Sequence, residues 1–251
     1  MLGVLGGMGP LATVDFMGKI IRNTKAVRDQ DHLELFVHSA TRIPDRTDFI
    51  LGRGPDPFPA MCVALQQLER AGATIMAIPC NTAHRWHAAL QARTSATVLH
   101  IVDATAERLV RQDRLDSPIG LLATDGTLLA GVYQTRLARL GFTCVVPGEL
   151  EQAQVMQAIS RVKAGDITES GIILRRQVEG LTRAGCRQII MACTEIPIAL
   201  EAFQGQVAAV LLDATDALAR ACVEACGRNL AALGARASRP QPRVDGPAHS
   251  P

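Results

Sequence analysis

Apolar residues along this chain fall into short unbroken runs, separated by longer stretches in which they recur at helical spacing. Unbroken runs predict strands buried on both faces, and the spaced pattern predicts helices with one buried stripe. On this reading, strands occupy residues 2–5, 33–37, 74–78 and 98–102 of the first half. Helices start at about residue 11 and cover 60–71, 82–92 and 104–112. Ser117-Pro118 interrupts the pattern. Strands then follow at 119–123, 143–146, 187–191 and 207–212, with helices over 128–140, 151–163, 169–184 and 214–233. Regular β–α alternation predicts an α/β fold of parallel sheets flanked by helices. Residues 234–251 turn to Arg, Ser, Pro and Gly and predict a disordered tail.

The second half repeats the first. Ile75-Met-Ala-Ile-Pro-Cys80-Asn-Thr-Ala-His84 and Gln188-Ile-Ile-Met-Ala-Cys193-Thr-Glu-Ile-Pro197 are each an apolar run ending in a cysteine, followed by small polar residues that begin a helix. Gly3-Val-Leu-Gly-Gly matches Gly120-Leu-Leu-Ala-Thr, and Asp103-Ala-Thr matches Asp213-Ala-Thr. An internal duplication of this kind predicts two similar, pseudo-symmetric lobes. Residues 1–104 with 213–233 form lobe 1 and residues 105–212 form lobe 2, with the active site in the cleft between them.

Composition narrows the function. The chain has 251 residues, 26 basic and 24 acidic, for a formal charge of +2. That balance offers no footprint for nucleic acid and no polybasic segment for a membrane. No apolar run reaches the ~18 residues of a spanning helix. Seven irregularly spaced cysteines do not make a disulfide framework. They predict reduced thiols and a cytoplasmic protein.

Most cysteines are buried and inert, and Cys62, Cys144, Cys186, Cys222 and Cys226 fit that description. The repeated context of Cys80 and Cys193 sets them apart. A thiol at a strand end beside a helix start is expected to have a lowered pKa, and two such thiols facing one pocket suit stereochemical inversion. Three other readings fit less well. Gly3-Val-Leu-Gly6-Gly7-Met-Gly9 lacks the spacing of a dinucleotide loop. Cys80, His84 and His87 lack a fourth zinc ligand at usable spacing. A single nucleophilic Cys80 with His84 as base leaves Cys193 unexplained. Arg46, in a polar loop after the second strand, offers a fork for a carboxylate, and Lys163 closes a helix.

At these residues the chain resembles the cofactor-independent aspartate/glutamate racemase family, and the aspartate racemases within it. The matching motifs are Gly6-Gly7-Met8-Gly9-Pro10, Ile43-Pro44-Asp45-Arg46-Thr47, Pro79-Cys80-Asn81-Thr82-Ala83-His84, Val162-Lys163-Ala-Gly165 and Cys193-Thr194-Glu195-Ile196-Pro197. The resemblance implies racemisation of a small dicarboxylic amino acid, with no cofactor and no metal, usually by a homodimer. It implies that Cys80 and Cys193 are the acid/base pair, and that Arg46 and Lys163 bind substrate carboxylate. Asn81, Thr82, Ala83 and Thr194 would hold the α-carboxylate region, and Met8 would line the pocket. Asp45 and Glu195 would support the site, Glu195 by orienting or polarising Cys193. Glutamate or broad-specificity racemases, hydantoin racemases, maleate isomerases and a non-enzymatic anion binder are the neighbouring alternatives. Ala40-Thr41 departs from the Asn-Pro pair of many relatives, which leaves side-chain preference open.

Overall fold

The structure, a computed structural model, describes residues 1–110, 117–203 and 205–231. The described residues form two four-stranded parallel sheets. The first contains β1 (Leu2–Gly6), β2 (Leu35–Ser39), β3 (Ile75–Ala77) and β4 (Thr97–Val98), in the order β2-β1-β3-β4. The second contains β5 (Ile119–Ala123), β6 (Cys144–Val145), β7 (Gln188–Ala192) and β8 (Val210–Asp213), in the order β6-β5-β7-β8. The order is the same in both, as a duplication requires. Within it, β1 and β5 are equivalent, as are β3 and β7, the strands leading to Cys80 and Cys193. Every residue of β1, β5 and β7 is buried, which is why these strands read as unbroken apolar runs.

The helices are α1 (Pro10–Asn23), α2 (Arg46–Ile50), α3 (Phe58–Arg70), α4 (His87–Gln91), α5 (Ile101–Val110), α6 (Asp125–Leu129), α7 (Gln134–Arg139), α8 (Glu149–Lys163), α9 (Ile167–Arg183), α10 (Glu195–Leu200) and α11 (Ala214–Ala225). None of the described helices is long and apolar enough to cross a membrane. A continuous apolar core runs between the two sheets. It joins Leu2, Val4, Phe16 and Ile101 of the first half to Leu121, Tyr133, Ile190 and Leu218 of the second. Two further cores cover the outer faces, one around Leu65 and Met76 and the other around Leu174 and Ile189. At the junction, Lys19 of α1 is buried between Asp15 and Asp213 and donates to the Thr215 hydroxyl at 3.0 Å.

Several sequence expectations shift. The segment 98–102 is not one strand: β4 ends at Val98 and α5 begins at Ile101. The Asp-Ala-Thr match is consequently out of structural register. Asp213 N-caps α11, accepting from the N–H groups of Thr215 and Asp216. The same place at the start of α5 is filled by His100, whose Nδ1 accepts from Val102 N–H at 3.1 Å. Asp103 lies inside the helix and pairs with Arg136. The expected helix 128–140 is two helices, because α6 starts early on a Thr124 cap and Gly131 adopts a left-handed φ of 63°. The last helix stops at Ala225, and Gly227, with a φ of 68°, turns the chain. The expected tail 234–251 lies outside the described residues.

Candidate active site

Parallel strands deliver ligand groups from their carboxyl ends. Cys80 follows β3 by a tight turn in which its N–H bonds to Ile78 C=O at 2.8 Å. Cys193 follows β7 directly. Both are buried, at 5 % and 6 % exposure, and both line one cavity of about 300 Å³. Of the residues singled out from sequence, Met8, Asp45, Arg46, Asn81, Thr82, Lys163, Thr194 and Glu195 line it with them. Ala83 does not: it is fully buried in the core beneath β3. Thr47 and Thr124 line the cavity and were not foreseen.

The two thiols have different surroundings. Cys193 Sγ donates to Glu195 Oε2 at 3.1 Å, and the Thr194 hydroxyl donates to the same oxygen at 2.9 Å. Burial first, then the Glu195 charge, push the Cys193 pKa well up. The expectation of a lowered pKa therefore fails for Cys193. The helix that follows is short, and Thr194 spends its hydroxyl on Glu195 rather than on capping it. On the other side, the Cys80 carbonyl meets His84 Nδ1 at 3.0 Å. Burial holds the pKa of His84 down at about 3, so this ring is neutral near pH 7.

Arg46 lies at the start of α2, not in a free loop. Asp45 caps that helix, accepting from Thr47 N–H at 2.8 Å and Asp48 N–H at 3.0 Å. The Arg46 guanidinium donates to the carbonyls of Ile43, Pro44 and Met8. Its Nε is buried without a partner. Burial acts to lower the Arg46 pKa, but coupling to Cys80, and then to Asp45 and Glu195, raises it on balance. Lys163, at the end of α8, reaches Asp45 Oδ2 at 3.8 Å across the half-exposed mouth.

A second set of contacts ties the two halves together behind the cavity. The hydroxyls of Thr82, Thr124 and Thr127 form a closed triangle with sides of 2.8 to 3.0 Å. Tyr133, fully buried, donates its O–H to Asn81 Oδ1 at 2.6 Å. Asn81 Nδ2 is buried and has no partner, so the tyrosine fixes the amide with its donor end uncommitted beside the cavity. Two signals could have found this group. Tyr133 is the only tyrosine of the chain, and Thr124-Asp-Gly-Thr127 follows β5 as the glycine loop follows β1.

Among the described residues no three His, Cys, Asp or Glu side chains are grouped to hold a metal ion. His84 and His87 are directed to the backbone carbonyls of Cys80 and Val98 instead. The glycine loop is also explained by packing. Gly7 has a φ of 87°, and a Cβ there would meet Ala40 N at 2.4 Å, so packing alone requires a glycine at this position.

Known proteins share this fold. Picrophilus torridus aspartate racemase superposes with a TM-score of 0.81 at 29% identity, covering 92% of this chain and 95% of that one. Campylobacter jejuni glutamate racemase shares the fold, with a TM-score of 0.66 at 21% identity over 93% of this chain and 89% of its own. The broad specificity amino-acid racemase RacX of Bacillus subtilis is 27% identical over 230 residues, 89% of this chain and 96% of that protein. The Asp/Glu/hydantoin racemase family model matches residues 5–222. With that match running from β1 into α11, the chain belongs to the Asp/Glu/hydantoin racemase family, isomerases that act on amino acids.

Proposed function

We propose that this protein interconverts L- and D-aspartate without a cofactor, using Cys80 and Cys193 as opposed acid/base groups. The observation that carries this reading is that two thiols from equivalent strand ends line one small cavity beside Arg46 and Lys163. Inversion requires a charge-asymmetric pair. Burial and Glu195 keep Cys193 a thiol, and Cys80 lines the cavity with the Arg46 guanidinium. In one direction, Cys80 removes the α-proton and Cys193 donates from the opposite face; in the other, the roles exchange. Arg46 and Lys163 hold carboxylate, and the free Asn81 N–H, with Thr82 and Thr194, holds the α-carboxylate end. Asp45 positions Lys163. Cationic and amide donors aimed at that carboxylate stabilise the carbanion, and placed acid/base groups contribute about 10²–10⁴-fold.

The lobe division belongs to the same reading: residues 1–104 with 213–233, and 105–212. It rests on sheet membership and on α11 packing against α1 and α5. A cytoplasmic homodimer completes it, and the exposed apolar side chains Val14 and Ile21 on α1 suit a subunit contact. Light scattering tests the dimer. A wider substrate range is the second reading, favoured by the similarity to the broad specificity racemase of Bacillus subtilis.

The decisive experiment follows the α-proton. In D₂O, L-aspartate should racemise with deuterium incorporated at Cα. Cys80→Ser and Cys193→Ser should each abolish racemisation. Full activity in either variant would refute the two-base assignment.

A further inference from the structure

Met8, Arg46, Lys163 and Glu195 line the thiol cavity and also a second, roomier space of about 590 Å³. Its outer wall is the turn from Gly7 to Leu11 on one side and Val162 on the other. Pro10, Leu11 and Val162 make that wall apolar beyond the shared charged rim. Leu11 is left 46 % exposed there, although it stands at the start of a well-packed helix.

The charges at the shared rim point the same way. Arg46 and Lys163 carry two positive charges; Glu195 on the shared rim and Asp45, which lines the thiol cavity alone, supply two negative ones. Lys163 is engaged by Asp45 at 3.8 Å, and Arg46 is coupled to both Asp45 and Glu195. A substrate therefore does not need a second carboxylate to balance the site. A zwitterion with an uncharged side chain leaves that balance intact, and an apolar chain leaving Cα toward Leu11 would be taken out of water.

We propose that this second space is a side-chain subsite, through which the same thiols racemise amino acids with long apolar side chains, of which methionine is the probe. The inference rests on the racemase reading above. The chemistry is unchanged: the Cα–H bond breaks with its proton going to one sulfur, its electron pair stays on the planar carbanion, and a new Cα–H bond forms with the proton of the other sulfur. Each buried methylene-sized group is worth about fourfold in binding. The three heavy atoms of methionine beyond Cβ therefore make filling the space cost roughly tenfold or more.

The test uses the full chain with L-aspartate and L-methionine in D₂O, followed by mass spectrometry and chiral chromatography. The unmodified protein should exchange and racemise both. Leu11→Trp and Val162→Phe narrow the space from its two sides, and thermal melts establish which variants fold. A folded variant should lose about tenfold or more in kcat/KM on methionine and change less than about twofold on aspartate. Equal slowing of both substrates would make the space a mere approach channel and overturn the proposal. An unchanged methionine-to-aspartate ratio in both folded variants would do the same. Exchange from aspartate with none from methionine overturns the subsite alone. No exchange from either substrate overturns the racemase reading itself.

Discussion

Replacing Tyr133 by Phe removes one oxygen atom and tests how the Asn81 side-chain amide is held beside the cavity. The ring is fully buried, so the phenylalanine keeps the packing between the two sheets. What disappears is the 2.6 Å bond to Asn81 Oδ1. Asn81 is only 2 % exposed, so its oxygen is left without a donor, at a cost of about 1–3 kcal/mol. For a chain of this size, each kcal/mol is about 2–4 °C in Tm. The variant should therefore melt roughly 2–12 °C lower. The functional loss is separate. With no partner on Oδ1, the amide rotates, and Nδ2 no longer waits beside the cavity. A hydrogen bond to a charged group is worth about 1.5–3 kcal/mol, so kcat/KM should fall by roughly ten- to a hundredfold. Both are read on one preparation, by calorimetry and by chiral chromatography at 25 °C, where the variant remains folded. A lower Tm with unchanged kcat/KM would make Tyr133 a packing residue only and refute the positioning argument.

Three further outcomes are expected. Lys19→Met leaves Asp213 buried without its cation and should cost about 3–5 kcal/mol in urea melts. Lys19 and its hydrogen-bonded neighbours hold Asp213 below the usual carboxylate range against the effect of burial, so the variant's deficit should shrink as pH falls through that depressed pKa and Asp213 protonates. Burial lowers the Lys19 pKa, but Asp213 and Asp15 raise it further, so its contribution is lost only above the ordinary lysine range; a deficit that grows on acidification would contradict the assignment. Glu195→Gln removes a charge that raises the Cys193 pKa, so the alkaline limb of the pH–rate profile should move to lower pH; a limb that stays or rises would separate Glu195 from that thiol. Gly7→Ala would set a Cβ 2.4 Å from Ala40 N at a positive φ, and it should lower soluble yield and Tm far more than Gly52→Ala, whose Cβ meets nothing within 4 Å.

The thiols were legible in the sequence because their strands are buried on both faces, which forces an apolar run that ends at the sheet's edge. β3 and β7 are such strands, and the polar residues after them had to lie where the sheets stop. Duplication supplied the pairing. Quantities that depend on depth were not legible. A helix start next to Cys193 suggested a lowered pKa, but α10 is short, and burial with Glu195 outweighs it. The capping role of His100 was hidden because an imidazole nitrogen stands where a carboxylate is expected, while the carboxylate of Asp103 lies inside the helix and pairs with Arg136. Tyr133 and the threonine triangle meet only when the halves pack, since residues 81–82 and 124–133 are far apart in sequence.

The two walls of the cavity are fastened unequally. On one, a ring of three sheltered hydroxyls and the Tyr133 bond join the halves out of reach of water and salt. On the other, Lys163 and Asp45 meet half-exposed at 3.8 Å, a contact worth about 0–1 kcal/mol. The contact at the end of α8 is therefore the weaker of the two fastenings, and the threonine triangle is the stronger. Raised ionic strength should weaken the half-exposed Lys163–Asp45 pair and leave the buried hydroxyls untouched.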